Sequence, residues 1–436
     1  MTLLIICPDY ASHLLPLATL GVAWREAGER VVVATGPATA GIVESFGFER
    51  ANLQLGKGSN PGVIRAEQQP AGEDVALRGF FDATRQGMIE TLAFQAEARL
   101  SDLMWEPVRT ARAVQAVVAE VRPDAIIVDH LAFSARLALV AGGHPHADVV
   151  LGHPTALPVG EEIYGFPSAW PHAFRPSTAA LAGLRDLCER VSASFTAEWN
   201  AALAELAPDA PPSTSAFGEH GELLLLNYPA ELSSPGRTAI LPPHEFLGSA
   251  VRTEPVDAEV ADWLAASGEP FVYVSFGSFL SVRGDVLARV AAALELVGVR
   301  GAIAIGSADR AGLGELPQSW LVREFLPQVS LLERAAAAVT HGGNNSVTEA
   351  MSRGVPLVVL PFSTDQFAGA AALEDAGFAV ALAPNTATVA DLADALTRVL
   401  ALPAEARGAL DTLSASLRQN PGSRRAFSAL GSAPTS

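Results

Sequence analysis

The chain has 436 residues, 49% of them hydrophobic and 17% charged, enough apolar material for two domains of about 200 residues each and too little charge for a disordered chain. A net charge of −18 with no basic stripe excludes nucleic acid and anionic membrane surfaces as partners, and no apolar run is long enough to span a bilayer. Cys7 and Cys188 lie far apart and form no motif, which reads as two reduced thiols in a soluble cytoplasmic protein.

Leu3–Cys7 is a continuous apolar run; it lacks the length and basic flank of a signal peptide and reads as a buried first strand. Leu14–Ala27 follows as a helix ending at Gly28, and Val31–Ala34 as a second strand. This start predicts an α/β fold with a parallel, doubly wound sheet and a crevice over its strand ends. The first loop, Pro8–His13, carries no GxGxxG and runs instead into Ser12-His13-Leu14-Leu15-Pro16. By itself His13 reads as a helix cap or as a ring bonded to a nearby carbonyl.

Gly56–Ala111 and His153–Arg175 break the strand–helix rhythm. The first holds Phe80, Phe81, Met88, Phe94 and Trp105, and the second holds Tyr164, Phe166, Trp170 and Phe174 among prolines. Inserted aromatic segments above a crevice suit a bulky, apolar ligand, whereas singly each ring closes a core under a loop. Ala125–Val128 reads as a strand ending in Asp129-His130, and Asp129 on its own is a cap for the next helix. His153 follows another strand end, where it either lines the cleft or serves the fold. Glu222–Asn227 is the last strand expected in the amino-terminal domain; Tyr228–Pro255, rich in Pro, Ser and Gly, reads as a linker.

The carboxy-terminal domain opens with the strand Phe271–Ser275 and the turn Phe276-Gly277-Ser278, followed by the strand Ala302–Ile305 and by Phe325-Leu326-Pro327-Gln328. Val339–Gln366, VTHGGNNSVTEAMSRGVPLVVLPFSTDQ, is the most informative stretch. Ala335–Thr340 and Pro356–Leu360 are apolar runs of buried parallel strands, and Asn345–Ser352 reads as the helix between them. Gly342 and Gly343 admit close approach of the backbone, Asn345 or Ser346 can cap, and free amides at a positive helix end form an anion site for a phosphate or diphosphate. His341 at the strand end can donate to a phosphate oxygen, more strongly when protonated. Glu349 lies along the helix where a carboxylate can accept from two ribose hydroxyls, and Asp365 and Gln366 reach the same crevice.

These residues resemble the nucleotide-sugar motif of the family 1 glycosyltransferases: His341, Gly343, Asn345, Ser346, Glu349, Gly354, Pro356, Pro361, Asp365 and Gln366 match it in identity and spacing. The resemblance implies the glycosyltransferase B architecture, with two doubly wound domains facing across a cleft. It further implies that His341, Asn345 and Ser346 bind the diphosphate, Glu349 the ribose, and Asp365 and Gln366 the donor sugar. Ser278 meets the donor from a second loop, and Phe325, Leu326 and Gln328 cradle the base. Plant members carry Trp at the positions of Phe325 and Asn344, so base and sugar contacts differ here.

In the family the first-loop His is the general base, which assigns that role to His13. Its carboxylate partner in plant relatives falls at the position of Ser134, leaving Asp129 or Ser134 to orient the imidazole. The bacterial members that decorate polyketide and enediyne antibiotics are the most similar, and they commonly use thymidine-diphosphate deoxysugars. The reading is therefore an inverting, metal-independent transferase without further cofactor, acting on a bulky apolar acceptor held by Phe80, Phe81, Met88, Phe94, His153, Tyr164, Phe166 and Trp170. A catalytically silent partner protein and a sugar-nucleotide epimerase are the alternatives, and a homodimer is compatible with the chain. The expected layout is an acceptor domain at 1–228, a linker at 229–255 and a donor domain at 256–415. A carboxy-terminal helix and tail at 416–436 complete it, and in this architecture they commonly cross back to the first domain.

Overall fold

Continuous apolar strands can bury both faces only in a sheet covered on both sides. The computed structural model, which describes residues 1–63, 65–70, 72–100 and 103–431, contains two such sheets. The first is seven-stranded and parallel, in the order β3-β2-β1-β4-β5-β6-β7. Its strands are β1 (Thr2–Ile6), β2 (Arg30–Thr35), β3 (Glu49–Asn52), β4 (Ala125–Asp129), β5 (Ala147–Val150), β6 (Leu223–Leu226) and β7 (His244–Phe246). The second is six-stranded and parallel, in the order β10-β9-β8-β11-β12-β13. It contains β8 (Phe271–Ser275), β9 (Arg300–Ala304), β10 (Leu321–Arg323), β11 (Ala337–Thr340), β12 (Leu357–Val359) and β13 (Ala379–Ala381). The expected pair of doubly wound α/β domains is present, and each sheet packs helices on both faces around its own apolar clusters.

Both sheets reverse their strand order at one place, between β1 and β4 in the first and between β8 and β11 in the second. Neighbouring strands there send their connections to opposite faces, which opens a crevice at the carboxyl ends. The residues that follow β1 and end β4 are therefore neighbours, as are those that follow β8 and β11.

Three expectations need correction. Leu223–Leu226 is not the last strand of the first sheet: β7 pairs with it inside the stretch expected to be linker, Leu226 opposite Phe246. Three residues behind Pro242-Pro243, at a sheet edge, carry too little periodicity to read. The first helix runs Ala11–Glu26 and so includes His13, with Tyr10 rather than a side-chain cap at its start. The boundary at 415 falls inside the helix Ala404–Gln419, and of the expected tail, residues 432–436 lie outside the described residues.

The helix Gly422–Gly431 does return to the first sheet. Phe427 meets Trp24 edge-on at 5.0 Å between ring centroids, and Arg425 Nη1 donates to the Phe246 carbonyl at 3.0 Å. Removing a half-buried ring from such a contact costs about 2 kcal/mol. Phe427→Ala is thus expected to lower the urea midpoint at unchanged slope, and an unaltered midpoint would mean that this contact does not hold the helix.

Candidate active site

The first crevice brings His13 and Asp129 together. Asp9 fixes the loop after β1 by accepting from the backbone N–H groups of Ala38 and Thr39, at 3.0 and 2.9 Å, and from Thr39 Oγ1 at 2.8 Å. This sets His13 in the first helical turn, where its Nδ1 lies 2.6 Å from Asp129 Oδ2. Asp129 is fully buried at the end of the adjacent strand, and its other oxygen accepts from Leu131 N at 2.9 Å. Burial opposes its charge, yet the His13 charge and hydrogen bond, with His130 and the Leu131 amide, hold its carboxyl below the usual range. An ionised carboxylate can only accept, so Nδ1 of His13 carries a proton, and in the neutral ring Nε2 keeps a lone pair. Burial pulls the imidazole down, but the Asp129 charge and hydrogen bond outweigh it and leave His13 above its ordinary value. Of the two orienting groups considered, Asp129 is the one in contact; Ser134 is buried in the helix Phe133–Ala141.

In the second crevice, β11 ends at Thr340, His341 follows it, and the turn enters the helix Asn344–Arg353. Gly342 has φ +87°, which a side chain would strain. A Cβ on Gly277 would stand 2.8 Å from His341 Cε1, and one on Gly343 would overlap the same ring, so the imidazole is packed between two backbones. His341 Nδ1 is buried without a hydrogen-bond partner. Desolvation lowers this histidine to about 4, so it is neutral near pH 7 and donates from an uncharged ring. The helix starts at Gly343 without a side-chain cap, contrary to the expected capping by Asn345 or Ser346. Its first amides are left facing the crevice.

Several residues expected to touch a donor also hold hydrogen bonds within the protein. Asn344 and Asn227 exchange hydrogen bonds: Asn344 Nδ2 donates to the Asn227 carbonyl at 2.8 Å, and Asn227 Nδ2 to Asn344 Oδ1 at 2.8 Å. Asn345 Nδ2 donates to the Ser12 carbonyl at 2.9 Å, one residue before His13. Asp365 Oδ2 accepts from His153 N at 2.6 Å, and Thr364 Oγ1 donates to Asp365 Oδ1 at 2.9 Å from a residue held at φ +53°. Gln366 folds back, its Oε1 accepting from Phe362 N and Ser363 N at 3.0 and 3.2 Å. Buried and satisfied within its own turn, Gln366 does not present the open amide expected of a sugar ligand. Glu349 is buried, with Oε1 accepting from Arg252 Nη1 at 2.5 Å and Oε2 from Gln328 Nε2 at 2.6 Å; Ser346 Oγ stands 3.4 Å from Gln328 Oε1. Ser278 lies half-buried in the turn after β8, Phe325 is exposed, and the Leu326 side chain belongs to a core rather than to the crevice.

The expected acceptor wall is also corrected in part. Tyr164 stacks on Phe217 at 3.8 Å and Trp170 packs on Phe367 at 5.0 Å, within a cluster that spans both domains. Phe81 is buried; Phe80 rests on the second sheet's core, Phe94 covers Gly79, and Phe166 packs on the same shared cluster. His153 is a structural residue: its Nδ1 lies 2.8 Å from Thr155 Oγ1 and its Nε2 3.2 Å from the Leu232 carbonyl, and burial lowers it to about 4. Exposed rings gain by clustering, which is why these segments form a core. Met88 is the member that lines open space, a cavity of about 380 Å³ walled by Phe174, Phe362 and Pro384. The sequence carried no signal for Arg252 or Asn227, which lie far from the motif in the chain.

Residues 186–415 match the family described as UDP-glucoronosyl and UDP-glucosyl transferase. The oleandomycin glycosyltransferase of Streptomyces antibioticus is 33% identical over 172 residues, 39% of this chain and 40% of that protein. The chain spans between 16% and 40% of the length of the curated relatives it matches. Among solved structures, the kitacinnamycin glycosyltransferase superposes with a TM-score of 0.69 at 21% identity, over 99% of this chain and 98% of that one. Spinosyn rhamnosyltransferase SpnG, complexed with thymidine diphosphate, gives 0.64 at 19% identity, over 99% of this chain and 100% of that one. These likenesses establish the glycosyltransferase B fold. Among the described residues, no helix is long and apolar enough to cross a membrane.

Four of the nine histidines separate by environment. An NMR titration is expected to place His13 above about 6.5 and His130, His153 and His341 near about 4. Asp129→Asn removes the charge that raises His13 and leaves desolvation as the largest influence, so His13 should then titrate below its ordinary value. An unmoved His13 would contradict the pairing.

Proposed function

Because the chain belongs to the UDP-glucoronosyl and UDP-glucosyl transferase family, we propose that it transfers a sugar with inversion from a nucleoside diphosphate sugar, above all a thymidine-diphosphate deoxysugar. The acceptor in this reading is a hydroxyl of a bulky apolar natural product such as a polyketide or enediyne antibiotic. The observation that carries the reading is the His13–Asp129 pair facing, through the Asn345–Ser12 contact, the open amino terminus of a helix. The fold shared with a thymidine-diphosphate-bound neighbour supports the choice of base.

The step is a single displacement. The acceptor oxygen attacks the anomeric carbon as its proton passes to His13 Nε2, and the bond from that carbon to the diphosphate oxygen breaks with its electron pair leaving on the diphosphate. Asp129 stabilises the imidazolium. The helix amides and His341 meet the charge that develops on the leaving group, where preorganised donors act most strongly. No metal ion or further cofactor enters the proposal. Contact of Asp129 with the imidazole supports a working base over the silent-partner alternative.

A thermal-shift series with thymidine, uridine, guanosine and adenosine diphosphates tests the donor site. Ligand at about 100 times its Kd stabilises by about 2.7 kcal/mol, so thymidine diphosphate is expected to raise Tm selectively. No shift with any of the four would contradict the reading. His13→Ala is expected to lower turnover by about 10²–10⁴-fold while keeping the nucleotide shift. Turnover at the parent rate would remove the base, and conversion of the donor without acceptor would favour the epimerase.

A further inference from the structure

Arg252 lies in the segment 247–257 that leaves β7 for the second sheet, with its side chain 13% exposed. Its two terminal nitrogens contact two carboxylates: Nη1 donates to Glu349 Oε1 and Nη2 to Glu254 Oε1, each at 2.5 Å. Glu254 is fixed in turn, its Oε2 accepting from Ser330 N at 3.0 Å and from Ser330 Oγ at 3.2 Å. The planar guanidinium is thereby held at both ends, a geometry that a lysine ammonium does not reproduce.

Glu349 needs this support. Its side chain is 3% exposed, and burial raises it above the usual carboxylate range. The charged groups around it are Arg252, which opposes the rise, and Glu254, which adds to it; Tyr273 packs near both. Gln328 Nε2 contributes a neutral hydrogen bond. One cation at contact distance thus balances two buried carboxylates, and an unpaired carboxylate in that place would take up a proton or turn away.

We propose that Arg252 is a positioning residue for donor binding, holding the Glu349 carboxylate in place to accept the 3′-hydroxyl of the nucleotide's pentose. The inference rests on the donor-site reading given above. Arg252 acts through Glu349 and is not assigned a contact with the sugar.

Calorimetric titration of thymidine diphosphate into the parent, Arg252→Met, Arg252→Lys and Glu349→Gln proteins between pH 5.5 and 8 separates the possibilities. Arg252→Met is expected to weaken binding about tenfold at neutral pH. The weakening relative to the parent should grow as pH falls, because Glu349 without its cation protonates more readily. Arg252→Lys should restore part of the affinity. With 3′-deoxythymidine diphosphate, which lacks the hydroxyl in question, parent and Arg252→Met should bind alike.

Equal affinity of parent and Arg252→Met at every pH would overturn the proposal, as would equal losses for both nucleotides, which mark a general support of the fold. If Arg252→Met does not fold, Arg252→Lys carries the same comparison. Glu349→Gln reports on the underlying reading. Weakened thymidine diphosphate binding there, with an unaffected Arg252→Met, rejects the proposal alone. Unchanged binding in Glu349→Gln rejects the donor-site reading and the proposal with it.

Discussion

The hydrogen bond from Asn345 to the Ser12 carbonyl is the contact on which the site depends. His13 and the helix Asn344–Arg353 belong to two separate sheets, and each sheet positions only its own half of the cleft. This bond joins the helix that opens at the turn after β11 to the residue before His13. The Asn344–Asn227 exchange and the Asp365–His153 bond flank it, so donor-crevice side chains close the cleft as well as line it. Buried polar groups at such a junction must find partners, and in this state the partners are backbone groups of the opposite domain.

The electrostatics divide in the same way. One histidine sits against a buried carboxylate and is raised, whereas His341 has no counter-charge in contact and is lowered. In the proposed reaction the first must take a proton and the second must donate a hydrogen bond to an anion. Incoming negative charge would offset the desolvation that keeps His341 neutral. The buried Glu254–Arg252–Glu349 series adds a third, separately balanced region beside the helix Asn344–Arg353.

Much of the fold was legible because parallel strands buried on both faces are continuous apolar runs, as in Leu3–Cys7 and Phe271–Ser275. The short edge strands β3, β7, β10 and β13 were not, since three or four residues carry no usable periodicity and their pairing is decided by tertiary packing. The spacing of His341, Glu349 and Asp365 was readable because one strand–helix–strand unit fixes it locally. What those side chains bond was not: Asn345 meets a residue 333 positions away, and Asn344 one 117 positions away. Arg252 lay in a stretch read as linker, where nothing in its neighbours marks a buried cation. The aromatic segments showed the opposite failure: composition marked them for a ligand, and mutual burial took most of them into a shared core.

The central claim is that a diphosphate leaves into the turn after β11, opposite His13. A crystal structure of the complex with thymidine diphosphate tests it most directly. The account predicts the diphosphate within hydrogen-bond reach of the first amides of the helix Asn344–Arg353 and of the His341 ring, with the pentose toward Glu349. A diphosphate bound elsewhere, such as on the loop at residues 8–10, would contradict it.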